Sequence, residues 1–291
     1  MINKYYYLIP FFIYFFSYLL LFSRQKNLYR TFIVLIYSGF IIQSFILLLL
    51  INRYSIYHGI SIASIIFFNS WILMLVIIIF SLLYKAKYVL IYVSPLAYLT
   101  LFISYFAPAA DFRTALMVNS SLLVTHILLI LLGDSLFALA FMISLIYIFQ
   151  ERRVKLKKNL KIFDKNREGD KKGYKKYGWD EVFYLGKGYN LELLDNMNYQ
   201  CLKIGFPTLT AGLAIGIYLS NSLFGSMTTV KPIEVISLIT WLIYAILLHE
   251  RISRGLRGKR AAIFSIAGFL MIVSTLALSL YLFPQIHGFL H

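Results

Sequence analysis

The stretch SLLVTHILLILLGDSLFALAFMISLIYIFQERRVKLKK, residues 121–158, decides the fold. From Ser121 to Gln150 it carries a single charged residue, Asp134, and a single histidine, His126. From Glu151 to Lys158 five of the eight residues are Lys or Arg. An uncharged run longer than about 18 residues, closed by a basic cluster, reads as a membrane helix that stops at the cytoplasmic interface.

Working outward, the same pattern recurs along all 291 residues. Apolar windows predict eight spans, at 5–22, 31–51, 62–83, 89–106, 122–149, 203–222, 233–249 and 261–283. At about 1.5 Å per residue each covers about 30 Å of hydrocarbon, the seventh only just. No small-residue cleavage site follows the first span, so it is expected to stay as a helix. The chain is 60% apolar and 14% charged, against about 45–50% and about 25% in soluble domains. That excludes a soluble enzyme and a disordered protein. The single cysteine, Cys201, excludes an intramolecular disulfide, a CxxC redox pair and a cysteine-held metal cluster. The expected fold is all-α, a polytopic membrane protein of eight helices.

Charge fixes the expected orientation. Segments 23–30, 84–88, 150–203 and 250–260 hold 3, 2, 14 and 5 of the 28 Lys and Arg. The other side has only Lys4, Arg53, Arg113 and Lys231. The positive-inside rule then puts the basic segments in the cytoplasm and both termini outside, in a multi-pass protein of the plasma membrane. Two regions are expected, a four-helix part over 1–121 and a second part over 122–291 with a basic cytoplasmic loop at 150–202. The net charge of +16 sits mostly in that loop, which reads as a segment held on anionic headgroups of the bilayer; no nucleic-acid partner is expected.

No GxxxxGK[ST], GxGxxG or HExxH occurs, so nothing supports a nucleotide-driven or zinc-hydrolase reading. No acid, base or nucleophile constellation for an independent catalytic cycle is visible. The informative residues are the histidines, because ionisable groups in or beside spans are costly and imidazole is a common axial ligand of heme iron. His126 opens the fifth span on its outer side and His287 follows the eighth. His58 and His291 read as boundary residues. His249 differs: it is the seventeenth residue of a span entered from outside, about 24 Å down.

Several words of the C-terminal part resemble the CcsA/ResC-type cytochrome c assembly family and its HemX-like relatives. LDNMNY (194–199) with KIGFPTLTAGLAIG (203–216) is similar to the family's LDxLxYR…IGFPLLTLGI. ITWLIYAILLHER (239–251) is close to ITWLIYAxYLHxR, and RGLRGKRAAIFSIAGF (254–269) and LFPQIH (282–287) follow in order. Upstream, SLLVTHILLILLG (121–133) and SLIYIFQERRVKLKK (144–158) match the histidine-bearing helix and its basic exit.

The resemblance implies a protein that accepts heme b, holds it outside through His126 and His287 as axial ligands, and presents it to the CxxCH of an apocytochrome c. It places His249 at an inner heme site, whose opposite ligand would come from a partner of the CcsB/ResB type. One departure stands out. The family's WGxxWxWDxxE falls on residues 224–234, where Phe224, Thr228 and Val230 replace the tryptophans and Lys231 replaces the acid, while Gly225 and Glu234 persist. Lys231 is expected to pair with a heme propionate. Asp134, eight residues beyond His126, differs in depth from His249 by about 6 Å and is expected to fix that imidazole's tautomer. Two other readings stay open. One is a HemX-like regulator of tetrapyrrole synthesis, favoured by the lost tryptophans. The other is a transporter without heme, using Asp134 and His249 as a proton relay.

Overall fold

The computed structural model describes residues 5–22, 28–53, 61–107, 120–165, 190–224 and 232–282. Among them lie eight helices: α1 Tyr5–Phe22, α2 Leu28–Arg53, α3 Ile62–Leu83, α4 Tyr88–Phe106, α5 Ser120–Lys165, α6 Leu191–Phe224, α7 Pro232–Ser253 and α8 Lys259–Leu282. The chain is an all-α polytopic membrane protein. Each expected span falls within one helix, the last as far as Leu282. In hydrocarbon only a helix satisfies its own backbone, which is why apolar runs rich in β-branched residues are helical here. Helices α2 to α6 are long and apolar enough to cross a bilayer, and α1 is a shorter apolar helix.

Helix ends are set locally. Ser61 caps α3 by accepting the Ser64 backbone N–H at 3.1 Å. A tight turn then returns the chain into α4, with the Ala86 N–H donating to the Ser81 carbonyl at 3.0 Å. The turn between α7 and α8 needs left-handed backbone at Gly255 (φ 65°) and Gly258 (φ 70°), a region that glycine enters without steric cost.

The polar stretch expected as a loop over 150–202 is partly helix. Helix α5 runs on to Lys165, and α6 begins at Leu191, twelve residues before its expected apolar span. Hydropathy falls where the bilayer ends, but the backbone keeps its hydrogen bonds past that point. The Glu151–Lys155 pair, 2.7 Å at i,i+4, supports the extension of α5. In α6 the extra turns bury Leu194, Met197, Cys201 and Leu202.

Helix α1 packs on α2 and α4, and α3 on α4 and α5; α5 pairs most extensively with α6, and α8 lies on α5 and α7. One hydrophobic core runs through them from Tyr7 to Leu247. Polar side chains inside α1 to α4 pair with one another. The Tyr14 hydroxyl donates to Gln43 Oε1 at 2.9 Å, and Ser70 Oγ donates to the Ala97 carbonyl at 2.7 Å. Such bonds hold helices together where lipid supplies no hydrophobic drive.

Glycines set the seam between α5 and α6. A Cβ at Gly205 would meet Phe137 Cε1 at 3.0 Å, and one at Gly212 would meet Ile130 Cδ1 at 2.8 Å. Helices α5 and α6 therefore approach closely along IGFPTLTAGLAIG, with Pro207 inside α6.

Candidate functional site

His126 lies in the second turn of α5, and its ring crosses the seam onto α6. Nδ1 stands 2.8 Å from the Gly212 carbonyl oxygen. A carbonyl has no proton to give, so Nδ1 donates; in the neutral ring this leaves the lone pair on Nε2. Gly216, one turn nearer the end of α6, makes the space: a Cβ there would stand 2.6 Å from His126 Cε1 and 3.1 Å from Nδ1. The ring is half-buried. A histidine whose second nitrogen donates to a backbone carbonyl is the arrangement that orients imidazole toward a metal.

Asp134 is two turns further along α5, partly exposed. Its electrostatic neighbour is the Tyr244 hydroxyl, which is buried and has no hydrogen-bond partner among the described residues. The Tyr244 ring stacks on Phe137 with centroids 3.8 Å apart. Among the described residues no hydrogen bond or ion pair joins Asp134 to His249.

His249 is exposed on α7. It shares that face with Val235, Leu242 and Ile246, at 42%, 52% and 51% exposure. His58, His287, His291, Gly225, Thr228, Val230 and Lys231 lie outside the described residues, and of Phe224 and Glu234 only the helical backbone is described. Trp71 and Trp241 are packing residues. The first stacks on Phe40 and Phe68 and donates to Ser44 Oγ at 2.8 Å; the second stacks on Phe206 and donates to Thr210 Oγ1 at 2.9 Å. Among the described residues no three His, Cys, Asp or Glu gather as a metal cage.

Sequence reasoning missed a buried polar cluster at the basic end, about 27 Å along α5 from His126 (18 residues to Ser144). Arg251, 6% exposed, is its hub on α7. Nη2 pairs with Asp195 Oδ1 at 3.0 Å and donates to the Asp195 carbonyl at 2.7 Å, while Nη1 donates to Asn198 Oδ1 at 2.7 Å. Asn198 Nδ2 lies within bonding distance of the Ala140 carbonyl, Ser144 Oγ and Ser265 Oγ, at 3.0, 2.8 and 3.2 Å. The Gly258 N–H donates to Asp195 Oδ1 at 2.9 Å. Four helices, α5 to α8, thus meet at one point. Burial lowers the Arg251 guanidinium from its ordinary value, and the Asp195 carboxylate opposes that shift. The signal was present in the sequence. Asp195 and Asn198 belong to LDNMNY, and Arg251 ends LLHER.

Three similar proteins are each described as cytochrome c biogenesis protein CcsA. That of Trieres chinensis is 43% identical over 93 residues, 32% of this chain and 30% of the relative. Those of Mesostigma viride and Trichormus variabilis are each 43% identical over 81 residues, 28% of this chain and 27% and 23% of the relative. The matched region thus spans less than a third of each relative's length. The family described as "Cytochrome C assembly protein" matches over residues 59–287. That is most of the length, from before α3 to beyond α8, and the chain belongs to the cytochrome c assembly protein family.

Proposed function

We propose that this protein binds heme b within the membrane and holds it on the outer side for attachment to apocytochrome c. The observation that carries the reading is the His126 imidazole. Its Nδ1–H is committed to the Gly212 carbonyl, so Nε2 is free for axial ligation of iron. The donor fits the group: an imidazole oriented by a backbone carbonyl, near the end of α5 away from the basic turns. His287 supplies the opposite outer ligand and Lys231 pairs with a propionate. Glu234 and Asp134 act in support, Asp134 through Tyr244 on the side of α7 away from His249. His249 is the inner ligand. It projects from an apolar face that this chain leaves open, which suits completion by a CcsB/ResB-type subunit. The basic loops face the cytoplasm of a plasma-membrane protein.

Heme supplies the vinyl carbons to which the thiols of CxxCH add. The chain's own residues bind, orient and release. In a host deleted for its own assembly gene, expression of this chain with its partner is expected to restore covalently attached heme in c-type cytochromes, read by heme staining after denaturing electrophoresis. Absent staining, with a changed level of an early tetrapyrrole-pathway enzyme, would move the protein to the regulatory reading.

A further inference from the structure

We propose that Arg251 is a positioning residue for His249, fixing the rotation of α7 so that the imidazole faces out of the bundle. This rests on His249 being the inner ligand. The two faces of α7 are sharply divided. Thr240, Tyr244, Leu247 and Arg251 are 5%, 1%, 1% and 6% exposed, and their 4-3-4 spacing makes one inward stripe. His249 is two residues before Arg251, about 200° round the helix, and is exposed.

Of the inward residues only Arg251 is charged, and it lies in the same turn as His249. Tyr244 anchors by ring stacking on Phe137 and Leu247 by packing, contacts that tolerate sliding. Arg251 anchors through the three directed contacts to Asp195 and Asn198, with the Tyr199 ring 5.1 Å beneath its guanidinium. Turning α7 to bring His249 inward would draw Arg251 from these partners toward lipid, where an unpaired charge is expensive. The cation therefore holds the uncharged ligand outward.

Thiol reactivity reads the rotation without heme. In a Cys201→Ser background, cysteines at position 249 (His249→Cys) and position 247 (Leu247→Cys) are compared for maleimide labelling in detergent. With Arg251 present the outer position is expected to react about tenfold faster, because a buried thiol must wait for local opening. Arg251→Lys keeps a cation beside Asp195 and is expected to keep the contrast; Arg251→Gln is expected to bring the ratio close to one. If Arg251→Gln does not fold, Asp195→Asn is used in its place, with the same expected fall. An unchanged ratio in the folded Gln or Asn variant would overturn the proposal. A His249→Ala variant that keeps the full heme spectrum and midpoint potential would overturn the inner-ligand reading alone, since the labelling ratio does not depend on it.

Discussion

Replacing Asn198 by leucine is expected to destabilise the protein by about 3 kcal/mol. The volumes are similar, so the loss is polar. Asn198 is 4% exposed and bridges α6 to α5, α7 and α8. Its Oδ1 accepts a hydrogen bond from Arg251 Nη1 at 2.7 Å, and its Nδ2 faces Ala140, Ser144 and Ser265. Leucine would leave part of a buried guanidinium unsatisfied and strand the buried Ser265 hydroxyl, whose bonds run to Asn198, while Ser144 Oγ would keep its bond to the Ala140 carbonyl. A bond to a charged group is worth about 1.5–3 kcal/mol, and each orphaned buried group costs about 1–3 kcal/mol. Unfolding by denaturing detergent in mixed micelles measures the difference. Ser274→Ala, at an exposed residue bonded only to the Leu270 carbonyl, is the control and is expected to change stability by less than about 0.5 kcal/mol. Equal stability of Asn198→Leu and the control would show that the cluster does not hold the helices together.

The second large effect falls on His126, the proposed outer ligand, through a substitution on the neighbouring helix. Gly216→Ala places a methyl group 2.6 Å from His126 Cε1, closer than any real contact, so the ring must leave the Gly212 carbonyl. Alanine is the better helix former by about 1 kcal/mol, so the helix itself is not weakened. Heme affinity is expected to fall about 10- to 100-fold, the usual cost of removing a partner that orients a metal ligand. The tautomer gives a check that needs no heme. In the parent protein the ¹⁵N shifts of His126 are expected to report protonation at Nδ1; in Gly216→Ala they are expected to move to a tautomer mixture. A variant with parental affinity and parental shifts would remove Gly216 from the site.

Much of this was legible in the sequence, for physical reasons. Uncharged runs of bilayer length form helices, so each of the eight expected spans falls on one helix, and among the described residues five of those helices are long and apolar enough to cross a bilayer. The glycine spacing of IGFPTLTAGLAIG announced a close helix pair, and GLAIG ends on the residue that admits His126. What failed was anything that needed an angle. Rise along two helices sets Asp134 near His249 in depth but carries no information about facing; α7 turns Tyr244 toward α5, onto Phe137. Arg251 was counted only as a topological charge. Nothing local marks an arginine in a basic turn as buried; its partners Asp195 and Asn198 are more than fifty residues away in sequence. The ends of α5 and α6 were misplaced because hydropathy follows lipid contact, whereas helices persist into water wherever side-chain pairs support them.

The central claim is that His126 and His287 hold heme on the outer side. Its most direct test is the visible spectrum of the detergent-purified protein, oxidised and reduced, beside the His126→Ala/His287→Ala double variant. The parent is expected to show sharp reduced α and β bands that collapse in the double variant while the protein remains folded. Bands of full intensity in the double variant, or a heme-free parent even when co-expressed with its partner, would contradict it.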